Sequence, residues 1–143
     1  MWNREKIIEK VCKSADKYGF SNPQQLKQLA FSCEKSEDRE VFFGLFPFFY
    51  DLNLQENYFA RQELAGKILY KVRPECPLNM DGALYAAPGQ WEVSVEELPW
   101  YFCVKFGKDK VQHFITELIP DIGDDKLLEK YKTMLFWVEM YGE

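Results

Sequence analysis

The sequence lacks any catalytic signature. It has no G-x-S-x-G, no H-E-x-x-H, no glycine-rich phosphate loop and no C-x-x-C pair, which removes the motif-bearing hydrolases, zinc proteases, nucleotide-binding loops and thioredoxin-like centres. It has one histidine, His113. Asp109 and Glu117 lie four residues to either side of it, so a D-x-x-x-H-x-x-x-E set shares a helix face. A general base or metal ligand needs partners that converge on one atom, and a structural or surface histidine is the simpler reading. Asp121, Asp124, Asp125 and Glu129 lack the one-three-five order, the Gly at six and the Glu at twelve of a calcium loop. The expectation is a protein that is not an enzyme, with no cofactor and no metal.

Long apolar runs are also missing. No window approaches the 18 uncharged apolar residues of a membrane helix. The opening MWNREKIIEK carries charges where a signal peptide needs an apolar run. The four cysteines, Cys12, Cys33, Cys76 and Cys103, each sit among apolar residues, which fits reduced, buried thiols and a cytoplasmic setting. Their even number leaves a disulfide framework as the alternative.

Charge of one sign is missing from the middle of the chain. Residues Pro74 to Val104 hold five carboxylates (Glu75, Asp81, Glu92, Glu96, Glu97), two of the four tryptophans and no Lys or Arg. The net charge is −5, distributed unevenly. Residues 1–30 carry six bases against three acids, and residues 31–103 six against twelve. An acidic middle argues against nucleic acid or an anionic membrane, which require a basic footprint, and favours a cationic protein partner.

What is present is helical periodicity. The chain is 47% hydrophobic and 17% aromatic, enough for one folded domain over residues 1–143. The spacing predicts a helix over 3–18, capped by Asn3 and stopped by Gly19, with Lys6, Lys10, Lys13 and Lys17 on the face opposite Ile7, Val11 and Ala15. That lysine row reads as a solvated face or as a basic patch. A second helix starts at Asn22-Pro23 and a third at Ser36. The run Val41–Tyr50 is apolar all round, hence buried, with Pro47 kinking or ending it. Asn53 is expected to cap a long helix through Val72, and Asn79 a short one through Ala87. Ser94 and Glu97 form an S-x-x-E capping box for a helix distorted by Pro99. Two more helices run from Asp109 to Ile119 and from Asp124 or Asp125 to Tyr141. No segment alternates strictly enough for a strand. The prediction is an all-α fold of about eight helices packed as antiparallel hairpins. A HEAT-like stack is favoured by the echo between Leu45-Phe46-Pro47 and Glu97-Leu98-Pro99, with an irregular bundle as the alternative.

Asp81, Tyr85, Trp91, Glu92, Glu96 and Glu97 are the candidate partner-binding residues. Rings anchor protein interfaces, and carboxylates steer a cationic partner. Trp91 and the acids read equally as core and cap. The segment Gly89–Phe102 (GQWEVSVEELPWYF), with the preceding LAGKILYKV, resembles small helical bacterial immunity proteins of contact-dependent inhibition systems. That resemblance implies a cytosolic protein that binds and neutralises a toxin domain, often a basic nuclease; it assigns no residue a role. The alternative is a helical-repeat scaffold or adaptor for a cationic protein.

Overall fold

A computed structural model describes residues 1–142, and among these residues the chain is all-α, with eight α-helices and no strand. Helix α1 spans Arg4–Tyr18, α2 Pro23–Glu34, α3 Asp38–Leu45, α4 Tyr58–Val72, α5 Met80–Ala86, α6 Glu97–Phe106, α7 Lys108–Leu118 and α8 Asp125–Met140. Local chemistry sets many of the ends. Asn3 accepts a hydrogen bond from the Lys6 amide, Asn22 from Gln24 and Gln25, Asn79 from Gly82, and Asp124 from Leu127. Gly19, at φ +76°, closes α1 by returning its N–H to the Ala15 carbonyl.

Several starts differ from expectation. Ser36 does not open α3. Its hydroxyl donates to the Ser32 carbonyl and accepts from the Trp2 amide, so it closes α2 and ties down the N-terminus. Asn53 does not open α4 either. Asp51 caps a short 3₁₀ turn over Leu52–Leu54, and α4 begins only after Asn57, which adopts a left-handed φ of +49° and reaches Asp16 Oδ1 at 2.9 Å. Pro47 ends α3 as expected: the chain tightens into a 3₁₀ turn over Phe46–Phe49. Pro99 causes no break. It is the third residue of α6, where its amide would have had no intrahelical partner in any case.

Helices pack mainly with those one or two places away in the chain. Helix α1 lies on α3, α2 on α4, α4 on α6, and α6 on α7 and α8; α1 also touches α4. This is the contact order of helices laid side by side. Two glycines permit the closest approaches. A Cβ on Gly44 would lie 2.7 Å from Ile7 Cβ, and one on Gly66 would lie 2.9 Å from Val95 Cγ1, so α3 meets α1, and α4 meets the α6 lead-in, almost backbone to side chain. The core runs continuously from Ile7 through Phe42, Phe46, Phe49, Leu64, Ile68, Trp91 and Phe102 to Val138. The cysteines are free thiols, Cys33 and Cys103 buried, Cys12 and Cys76 half-buried.

Candidate functional site

The acidic stretch before and within α6 is divided between different places. Trp91 is core, correcting the expectation of a loop ring open to a partner. It is 1% exposed and its Nε1 donates to the Val95 carbonyl at 3.0 Å. The cause lies in α4. The buried Gln62 side chain donates to the Gln90 carbonyl at 2.8 Å and accepts from the Glu92 amide at 2.7 Å. These two bonds bracket Trp91 in sequence, and its ring is enclosed.

The expected capping box does not form. Ser94 bonds Glu92 Oε1 instead, Glu96 occupies the cap position in a helical conformation, and Glu97 is turned inward. Glu97 is 8% exposed, which corrects its placement on a partner surface. The reason is Lys67 of α4, whose ammonium lies 3.0 Å from Glu97 Oε2 and 3.5 Å from Glu63 Oε2. Burial, and then the neighbouring Glu97 charge, push the Glu63 carboxyl above its ordinary range. Burial opposes the Lys67 charge, but the hydrogen bonds and charges of Glu97 and Glu63 together outweigh it and the lysine is held above its usual value. Glu97 Oε1 is buried without a partner. Glu63, Glu96 and Glu97 are the one acidic group among the described residues with ligand oxygens close enough, within 4.8 Å, to hold a metal ion. Lys67 already supplies a positive charge there, so the arrangement acts first as an ion-paired clasp between α4 and α6.

Glu92 is half-buried and lines a depression of about 300 Å³ with Tyr58 and Lys130. The Lys130 ammonium donates to the Pro88 and Gly89 carbonyls at 2.9 and 3.1 Å. Burial lowers its pKa, and the Glu92 charge works against that fall. A lysine beside Glu92 weakens this spot as a receiver of cations.

Asp81 and Tyr85 are exposed, one turn apart on α5. The Tyr85 ring is 59% exposed and stands edge-on to Phe114 of α7, centroids 5.5 Å apart. With His113, Glu117, Leu118 and Asp121 these rings line a depression of about 340 Å³. The lining holds two exposed carboxylates and no Lys or Arg. An aromatic platform flanked by carboxylates can take a guanidinium or ammonium by cation–π and charge together. The α7 contribution was missed from sequence because it lies about thirty residues from Tyr85. Its signal was the spacing of Phe114, Glu117, Leu118 and Asp121 at three and four residues. Comparison with protein-family models, with curated proteins and with solved structures gives no match.

Proposed function

We propose that the chain is a protein-binding inhibitor of the immunity type, which takes a basic, nuclease-like toxin domain on the face built by Tyr85, Phe114, Glu117 and Asp121. The observation that carries this reading is the exposed Tyr85 ring braced on Phe114 between carboxylates that no cation lines. An Arg or Lys side chain of the partner would lie over the ring and reach Glu117 or Asp121, and the acidic field would raise the encounter rate. A scaffold or adaptor is the second reading, favoured by the side-by-side contact order of the helices.

The experiment is affinity capture from the source cells, identification of the partner, and kinetics with the purified pair. A basic partner is expected, with an association rate that falls as salt rises. Tyr85→Ala should weaken binding by about tenfold or more, and Glu117→Lys with Asp121→Lys should slow association. A partner that is toxic when expressed alone and tolerated with this chain selects inhibitor over scaffold. An acidic partner, or undiminished binding by folded variants at these positions, refutes the assignment.

A further inference from the structure

We propose that the groove between α1 and α2 is a second binding site, and that it takes an acidic amphipathic helix of a protein partner. The groove has a volume of about 570 Å³, within the range of built ligand sites. One wall is the lysine row of α1. Lys10, Lys13 and Lys17 recur at intervals of three and four residues, a line of ammonium groups spanning about 10 Å. The floor is the buried Leu29 of α2, beside a hydrogen bond of 2.9 Å from the Ser14 hydroxyl to Gln25 Oε1 that ties the two helices. Rings stand around it: Trp2 with the Lys10 ammonium at 5.8 Å from its centroid, Tyr18 with Lys17 at 5.2 Å, and Phe31, 58% exposed, at the rim. A neighbouring depression of about 340 Å³ shares Phe31 and adds Lys27.

No carboxylate lines either space. Lys13 pairs with Glu9 at 3.3 Å, whereas Lys10, Lys17 and Lys27 form no ion pair among the described residues. The acid next to the row, Asp16, is committed elsewhere: Arg61 and Asn57 of the α4 start hold it at 2.8 and 2.9 Å. The Lys10, Lys17 and Lys27 charges are therefore open to a ligand.

Charge and shape select the occupant. Carboxylates one turn apart on a helix repeat at the spacing of the lysines, and the apolar side of such a helix would cover Leu29, Phe31 and Trp2. A single phosphate would engage one or two ammonium groups and leave the rings uncovered. A bilayer cannot enter a concave slot. The cations are all lysines, without the guanidinium fork that favours nucleic-acid phosphates.

Selection of a displayed library of random peptides, about 15 residues long so that a helix can form, tests the proposal against the whole chain. Enrichment of peptides with Asp or Glu and large apolar residues at helical spacing is expected. Lys10→Glu with Lys17→Glu should weaken their binding tenfold or more, and Tyr85→Ala should leave it unchanged. Enrichment of basic or uncharged peptides, no enrichment, or full affinity in the lysine variant overturns it. So does displacement of the selected peptide by a single-stranded oligonucleotide or by anionic vesicles at lower concentration than by unlabelled peptide. If circular dichroism shows the lysine variant unfolded, Phe31→Ala, which removes an exposed ring, decides by the same criteria.

Discussion

Trp91→Phe separates a core role for this ring from an interface role, because the two predict effects on different observables. In the fold described here the substitution deletes the indole N–H that bonds the Val95 carbonyl at 3.0 Å inside a fully enclosed site. Leaving that carbonyl unpaired costs about 1–3 kcal/mol. The smaller ring also leaves unfilled space, worth about 1–2 kcal/mol at the scale of a few lost ring atoms. The expected loss is therefore about 2–5 kcal/mol, a large share of the roughly 5–15 kcal/mol that holds a domain together. Urea unfolding followed by far-ultraviolet circular dichroism is the assay, since fluorescence would change merely through removal of the indole. The midpoint should fall with the slope unchanged. Partner affinity, measured on the folded variant, should stay within about twofold of the original, a free-energy change of well under 1.4 kcal/mol. An unchanged midpoint combined with weakened partner binding would refute the enclosed placement and return Trp91 to the surface.

Gly44→Ala drives a methyl to within 2.7 Å of Ile7 Cβ and Cγ2. An overpacking cost of about 1–3 kcal/mol should exceed the ~1 kcal/mol helix-propensity gain, so thermal stability should fall; a rise would mean that α1 and α3 yield easily. Glu63→Gln should raise stability near neutral pH. The folded Glu63 carboxyl sits above its ordinary value of 4.5, so its contribution to stability is complete below that pH and is lost as pH rises through the raised folded value. Melting temperatures from pH 4 to 8 should show a flatter profile in the variant, and an identical profile would remove Glu63 as its source. Asp16→Asn leaves the Arg61 guanidinium, itself 8% exposed, without its carboxylate. Asp16 is partly solvated, so a loss of about 1 kcal/mol is expected. Because Arg61 holds the Asp16 pKa down, that difference should be full above pH 3.8 and vanish as pH falls through the folded value.

The parts of the fold legible in the sequence are those decided within a few residues. Asn3, Asn22, Asn79 and Asp124 each bond an amide two or three residues ahead, which needs nothing distant, and those four helix starts were readable to within a residue or so. The apolar run through Phe42, Phe46 and Phe49 was readable as core for the same reason. Asn53, Ser36 and Ser94 present equally good local signals that lose to remote partners: α4 starts where Asn57 reaches Asp16, Ser36 meets Trp2, and Glu97 is drawn to Lys67. Trp91 was undecidable locally because its burial depends on Gln62, a polar residue on α4 whose two bonds clamp the chain around it. Tyr85 and Asp81 could be placed on an exposed helical face, but their neighbours on α7 come from tertiary packing that periodicity does not encode.

The net charge of −5 conceals an arrangement that matters more for recognition than the sum. Between α1 and α6 several opposite charges pair across helices: Arg4 with Glu40, Arg61 with Asp16, and Lys67 with Glu97, with Glu63 beside it. Two surfaces outside these pairs are each lined by charge of one sign: lysines and no carboxylate in the groove between α1 and α2, and Glu117 and Asp121 without Lys or Arg beside Tyr85. A surface lined by charge of one sign orients an approaching partner of the opposite sign before contact. A basic domain arriving at the Tyr85 face would then leave the lysine groove unused and open, so occupation of one surface need not exclude the other. The internal pairs clasp α1 to α3 and α4, and α4 to α6, and they commit Asp16 to Arg61 and Glu97 to Lys67, away from the lysine groove and from a partner.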